Sequence, residues 1–438
     1  MQQRYMATRE GTPTFIPNEP NTPPNAPMNV LRPCILLALL ATAFLNVHAQ
    51  EGGAQRRREG GVYFAYPYDS TYCETPPPDG YVPVYVSHFG RHGSRWLPSD
   101  SRYTQVLAQF ADTTLLTQQG LDVRRRLLAV WANAQGHGGQ LTPVGERQQR
   151  AIALRMAHRL STLLRGGRRV EARSSVVSRC RQSMEAFLAA WADEGVDVQV
   201  EALSDTADMA WIAYTSPDVE ALEQNTVVPC AVSPDRLIRS LFRDPSRVEA
   251  PEDLMSELHT IAADMQDVDI DVCLDDVLTD EESHALYQRN NRRMWICNGL
   301  TPLNQHAAQA SAASLWIDLR DHADYALAAY APDVPNPTAQ NRPAARLRFG
   351  HDTSLYRLLT LMGVGEGDLI RPDVPDAMDR VVPMAANLQM VFYRHTLTGD
   401  ILVKVLLHER EQTLPLPDAP TAPYYPWQAV KALVNSRL

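Results

Sequence analysis

The stretch Val84-Tyr85-Val86-Ser87-His88-Phe89-Gly90-Arg91-His92-Gly93-Ser94-Arg95 decides the reading of this chain. Tyr81 to Ser87 reads as a strand, with Val82, Val84 and Val86 on one face and Tyr81 and Tyr85 on the other. Both faces are apolar, as expected of a strand inside a parallel sheet covered by helices. The run breaks at Gly90 into a histidine flanked by two arginines. Arginine forks match phosphate oxygens in pairs, and a neutral imidazole nitrogen can attack phosphorus. Gly93 lets backbone come close to a ligand. One such motif alone is more often a solvated turn than a site, so the weight falls on what lies downstream.

Two more junctions of the same kind follow. The first is prepared by Leu141-Thr142-Pro143-Val144-Gly145-Glu146, in which Thr142 and Pro143 make an N-cap and first turn for a helix over Arg147 to Leu164. A short strand, Arg169 to Ala172, then runs into Arg173-Ser174-Ser175 and Arg179-Cys180-Arg181, where Met184, Phe187, Leu188 and Trp191 take up helical spacing. The second is Arg346 to Gly350, a strand leading into His351-Asp352-Thr353 and a helix marked by Leu355, Leu358, Leu359 and Met362 and closed by Gly363. In an open α/β sheet, ligands bind beyond the carboxyl ends of strands, where helix N-termini present free N–H groups. Jointly the three junctions offer a nucleophile, cationic donors and a carboxylic acid, a full set for phosphomonoester hydrolysis.

The rest of the chain fits around these. Glu51 to Gly61 reads as a linker, Ser101 to Ala134 as helical, Asn387 to Arg394 and Ile401 to Leu407 as a hairpin, and Trp427 to Leu433 as a terminal helix. Residues 205 to 335 are acidic and mostly helical, which reads as an inserted cap. Within them Asp267, Asp269 and Asp271 alternate as in a calcium loop, but Val272 stands where that loop needs glycine and Leu278 where it needs glutamate, so the segment reads as a solvated acidic edge. The fold expected is α/β: a doubly wound, mostly parallel sheet flanked by helices, with core segments 62–204 and 336–438 and a helical insertion at 205–335.

Composition is that of a globular protein, 45% apolar and 21% charged. A net charge of −10 argues against nucleic acid as a partner. Only Lys404 and Lys431 are lysines, so an arginine run such as Arg124-Arg125-Arg126 marks no site by itself. Residues 1–27 are rich in Pro, Asn and Thr and read as a disordered leader, or as upstream of a true start at Met28. From Met28, Arg32, the apolar Ile35 to Leu45 and Val47-His48-Ala49 form the three parts of a secretory signal, too short to span a bilayer. Cleavage after Ala49 removes three arginines and two glutamates, taking the charge from −10 to −11. Export to the periplasm or exterior is expected, with no lasting membrane insertion. Five cysteines remain, Cys73, Cys180, Cys230, Cys273 and Cys297; disulfides are allowed, one thiol at least stays unpaired, and no spacing suggests a metal.

The motifs Arg91-His92-Gly93-Ser94-Arg95, Leu141-Thr142-Pro143-Val144-Gly145, Arg173-Ser174-Ser175 with Arg179, and His351-Asp352-Thr353, in this order, resemble those of the histidine acid phosphatases. That branch of the histidine phosphatase superfamily includes bacterial phytases, glucose-1-phosphatase and multiple inositol-polyphosphate phosphatase. The resemblance implies His92 as the nucleophile that becomes phosphohistidine, Arg91, Arg95 and Arg179 as phosphate ligands, His351 as a further donor, and Asp352 as the general acid. It aligns Arg179, not Arg181. It implies no cofactor and no metal, and a small phosphate ester as substrate, phytate or a sugar phosphate among them. The inositol-polyphosphate branch typically carries His-Ala-Glu where this chain has His351-Asp352-Thr353, which instead resembles bacterial phytase and glucose-1-phosphatase, so the resemblance does not fix the substrate. The three arginines are expected to keep His92 neutral, and a bound phosphate to hold a proton on Asp352, giving an acidic optimum. The competing readings are a phosphoglycerate-mutase-like phosphotransferase, which lacks the His-Asp pair, and a protein that binds phosphorylated ligands without turnover.

Overall fold

The computed structural model describes residues 53–330, 342–417 and 419–438. The leader, the signal segment and Cys34 lie outside them. β1 spans Tyr81–Arg91 and so runs past the expected end at Ser87. Gly90 does not break it because both edges stay paired, against Phe349 on one side and Asn387 on the other. Near its start the register shifts between Pro83 and Tyr85. That bulge turns Val84 and Tyr85 into one apolar cluster while Val86 joins another, which corrects the strict alternation expected of this strand.

Two helices follow, α1 (Asp100–Gln109) and α2 (Gln118–Ala134), in place of one continuous helical stretch. Next is α3 (Pro143–Arg159), whose cap Thr142 accepts from the Gly145 amide as expected. β2 (Arg168–Ser174), α4 (Ser178–Glu194) and β3 (Val198–Leu203) complete the first half. The insertion carries α5 (Asp235–Leu241), α6 (Pro251–Asp264), α7 (Asp280–Asn298) and α8 (Ala313–Ala328), with no strand among its described residues. The chain re-enters the sheet through β4 (Pro343–Gly350), α9 (Asp352–Met362), the hairpin β5 (Asn387–His395) and β6 (Ile401–Leu407), short β7 (Arg410–Glu411) and β8 (Tyr424–Pro426), and α10 (Trp427–Asn435). Gly363 closes α9 in the left-handed region.

The strand order is β3-β2-β4-β1-β5-β6-β7, with β8 on β6. β3, β2, β4 and β1 are mutually parallel, whereas β5 and β6 pair antiparallel. The sheet is thus mixed, and β1 sits where its two halves meet. Leu388, Met390 and Phe392 of β5 pack with α8, α9 and α10 on one face, while Val391 and Tyr393 pack with α3 and α4 on the other. Period-two alternation feeding two helical layers is what makes the sheet doubly wound. A third apolar cluster lies apart from both and joins α1 and α2 to α5 and α6, through Phe110, Val123, Leu241 and Leu258 among others. Residues 54–438 form one compact unit. The stretch expected as a linker is built into it, since Arg56 donates to the carbonyls of Leu278 and Thr279 and to Asp280. Cys73, Cys180, Cys230, Cys273 and Cys297 are all unpaired thiols. No described helix is long and apolar enough to cross a membrane.

Candidate active site

Parallel pairing brings three chain ends side by side. Arg91 is opposite Gly350 across β1 and β4, and Ser174 opposite Phe349 across β2 and β4. The ladder continues one step beyond the strands, with the His92 amide donating to Gly350 O at 3.0 Å and the Ser175 amide to Phe349 O at 3.0 Å. Side chains more than 250 positions apart therefore project from neighbouring strand ends. The rings of His92 and His351 stand 5.9 Å apart, centre to centre.

His92 is buried, and its Nδ1 lies 2.9 Å from the Gly93 carbonyl oxygen. A carbonyl only accepts, so the neutral ring carries its proton on Nδ1 and leaves the Nε2 lone pair free. The loop that holds it is pressed against the start of α3. A Cβ on Gly93 would stand 2.5 Å from Gly145 O, and one on Gly145 would stand 2.1 Å from Ser94 O. The lack of a side chain at Gly93 thus lets the backbone of Gly145 pack directly against it. The Gly93 amide donates to Ser183 Oγ, and Gln149 donates to Arg91 O, which ties the loop to α4 and α3.

Three guanidinium groups act electrostatically on this ring. Arg91 is fully buried, and its Nη1 donates to the carbonyls of Val62 and Val382 at 2.6 Å each. Its Nη2 lies 3.0 Å from Asp352 Oδ2 without hydrogen-bond alignment, and neither Nε nor Nη2 has a hydrogen-bond partner. Arg95 is held under the ring of Tyr63, 4.9 Å away, and its Nε is also unpartnered. Arg179, in the first turn of α4, has a buried Nε with no partner. Buried donors are nearly always paired in folded proteins, so these three arginines at neighbouring strand ends carry donors that a bound anion could satisfy. Arg181 turns away to Glu185 and is half exposed.

No protein-family model matches the chain, and no curated protein matches it. Solved structures do. A multiple inositol polyphosphate phosphatase of Bifidobacterium longum, in complex with inositol hexasulfate, matches with a TM-score of 0.64 at 17% identity, over 86% of this chain and 97% of that one. The phytase of D. castellii gives 0.62 at 15% identity over 87% and 85%. A Klebsiella phytase gives 0.51 at 15% over 83% and 96%. The chain has the fold of these phosphatases.

Within that phosphatase fold the electrostatics of the site divide sharply. Burial, and then Arg91, Arg179, Arg95 and His351, hold His92 well below the ordinary histidine pKa. The direction is the one expected, with burial a larger cause than any one of the arginines. His351 is pushed down to about 4 by burial and by Arg179, against the pull of Asp352. Its Nε2 lies 3.1 Å from Ser175 Oγ, and the buried Cys180 thiol packs on the same ring. Asp352 opens α9, where its Oδ1 accepts from the Thr353 amide at 2.9 Å. Burial pushes its carboxyl up, but Arg91, His351, the Thr353 amide and Arg95 bring it net below the usual range. In the free site Asp352 is therefore ionised.

Two groups of the site escaped the sequence reading. One is the very start of the core segment, where the Val62 carbonyl and the Tyr63 ring hold Arg91 and Arg95. The other is Asp264 with Asp267. Asp267 was expected on a solvated edge, yet it is fully buried and accepts from Ser94 Oγ at 2.5 Å. Asp269 and Asp271 are exposed as expected, Asp269 pairing with Arg147. Asp267 points inward because the short helix Met265–Asp267 ends under the loop that carries Ser94, where Thr142 Oγ1 also donates to its carbonyl.

Proposed function

We propose that this protein is an exported, metal-independent phosphomonoester hydrolase that acts on inositol phosphates through a phosphohistidine at His92. The carrying observation is the contact from His92 Nδ1 to the Gly93 carbonyl, which leaves Nε2 free on a ring whose field is set by three partly unpartnered guanidinium groups. In this reading Arg91, Arg95, Arg179 and His351 hold the phosphoryl oxygens, whose charge is spread in the transition state. Nε2 attacks phosphorus as the ester oxygen leaves with the proton of Asp352. Water then attacks the phosphohistidine, and Asp352 takes back a proton from it. Asp352 must reach the first step protonated, so the dianion has to displace its carboxylate from Arg91 and raise its pKa.

The substrate class is supported by the solved relatives, one of them a phosphatase with inositol hexasulfate bound and others phytases. We also propose the division into an α/β core and a helical cap at 205–335, supported by the separate apolar cluster of α5 and α6, which takes in α1 and α2 as well. The test is release of inorganic phosphate from p-nitrophenyl phosphate and from phytate by wild type and His92→Ala, with quenching in alkaline denaturant to trap a phosphoenzyme that is stable in base and labile in acid. Turnover that persists in His92→Ala refutes the nucleophile. Absence of turnover in both proteins favours a binder.

A further inference from the structure

The helical insertion reaches under the proposed anion cradle with two carboxyl groups that the proposed chemistry does not use. Asp264, at the end of α6, and Asp267, one turn on, are both fully buried. Asp267 Oδ1 accepts from Ser94 Oγ, the residue before Arg95. Asp264 Oδ2 accepts from Tyr103 OH at 3.3 Å, and that hydroxyl in turn accepts from the Leu97 amide at 2.8 Å. Asp264 Oδ1 lies 3.7 Å from Arg95 Nη1. The whole loop from Ser94 to Leu97 is therefore fastened to the insertion through these two residues. One oxygen of each, Asp264 Oδ1 and Asp267 Oδ2, has no hydrogen-bond partner.

Resting on the phosphatase reading, we propose that Asp264 and Asp267 are positioning residues for Arg95 whose summed charge sets how tightly the cradle holds an anion. A negative charge beside Arg95 competes with a bound anion for the same guanidinium, so the cradle is strong when the pair is neutral and weaker when it is charged. The groups facing the pair are Arg95 and Arg91 from the β1 end, Arg102 and Tyr103 from α1, and each carboxyl toward the other. Arg102 is engaged by Glu257 through two hydrogen bonds, which leaves Arg95 and Arg91 as the cations the pair balances. Burial pushes Asp264 up to about 7, and burial together with Asp264 raises Asp267 well above the carboxylate range. The pair therefore gains negative charge near neutrality, on the side of pH where anion binding should fail.

The probe is sulfate, whose charge stays constant over the range, unlike that of phosphate. Its inhibition constant against p-nitrophenyl phosphate and its direct binding by calorimetry are measured from pH 5 to 8. Wild type should lose roughly tenfold or more in sulfate affinity across this range. Asp264→Asn, which keeps an oxygen for Tyr103, should hold its affinity nearly flat and bind sulfate more tightly than wild type at pH 8. The double variant Asp264→Asn/Asp267→Asn should be flat whichever carboxyl carries the charge, with folding checked by near-ultraviolet circular dichroism. Should Asp264→Asn misfold, Asp267→Ser and Tyr103→Phe must each shift the pH at which affinity falls. A decline in both Asn variants parallel to wild type overturns the inference while turnover leaves the phosphatase reading standing. Flattening by the variants in a protein that binds sulfate without turnover supports the inference and sinks the catalytic reading.

Discussion

Replacing Asp352 with asparagine should slow catalysis and tighten anion binding at once, a combination that a damaged site does not give. The side chain keeps its bond to the Thr353 amide as asparagine, so α9 keeps its first turn. What goes is the charge whose Oδ2 lies 3.0 Å from Arg91 Nη2. At that separation the attraction is about 5.5 kcal/mol with an effective dielectric constant of 20 and about 1.4 kcal/mol in bulk water. The Asp352 side chain is 24% exposed, which places the pair between these limits. Removing a competitor worth about 2 kcal/mol should strengthen sulfate binding by roughly thirtyfold. Loss of a general acid should lower kcat on alkyl phosphates, phytate among them, by about 10²–10⁴-fold. For p-nitrophenyl phosphate, whose leaving group hardly needs a proton, the loss should stay within about tenfold.

Steady-state kinetics on both substrates and sulfate inhibition at one pH make the test. Equal slowing of the two substrates would refute the acid role. Weaker sulfate binding in the variant would show that Asp352 does not compete for Arg91, and the argument for a proton gained on substrate arrival would fall with it.

Other expectations follow from the same contacts. Arg179 has no hydrogen-bonded side chain to leave unpaired, so Arg179→Ala should lower kcat/KM by about 10²-fold or more with unfolding free energy unchanged within ~0.5 kcal/mol, read by kinetics and urea titration. Gly145→Ala puts a methyl 2.1 Å from Ser94 O, so it should cost about 1–3 kcal/mol and displace the His92 loop, with activity falling further than stability alone predicts. His408 is buried and neutral, pushed down to about 4 chiefly by burial, so the unfolded chain takes up its proton first as pH falls from ~6.5. Its contribution to stability is present above that range and is lost on acidification toward 4, and His408→Gln should remove about one proton, ~1.4 kcal/mol per pH unit, from the slope of stability against pH.

The sequence carried the three strand-end motifs because their chemistry coincides with local punctuation. His92, Arg179 and Asp352 each sit within two residues of where a strand stops or a helix starts, and such ends are marked by glycine, proline and capping residues. Apolar runs likewise declared β1, β4 and the β5–β6 hairpin, and the two apolar faces of β1 declared its place inside the sheet, although its bulge between Pro83 and Tyr85 breaks the alternation. Contacts made through backbone atoms or across separate elements left no such mark. Arg91 is fixed by the carbonyls of Val62 and Val382, which any residue would supply. The clustering of α1 and α2 with α5 and α6 rests on apolar faces that would serve equally well against the sheet. Asp264 and Asp267 were hidden for a sharper reason: in sequence they belong to an acidic stretch, where Asp269 and Asp271 are indeed solvated, and only the packing of the insertion under Ser94 separates the buried carboxyls from the exposed ones. A charge is costly to bury unless something answers it, so the two carboxyls that the fold does bury have to be read together with the arginines it buries beside them. That pairing ties the helical insertion to the pH response of the anion site, a link that neither segment discloses alone.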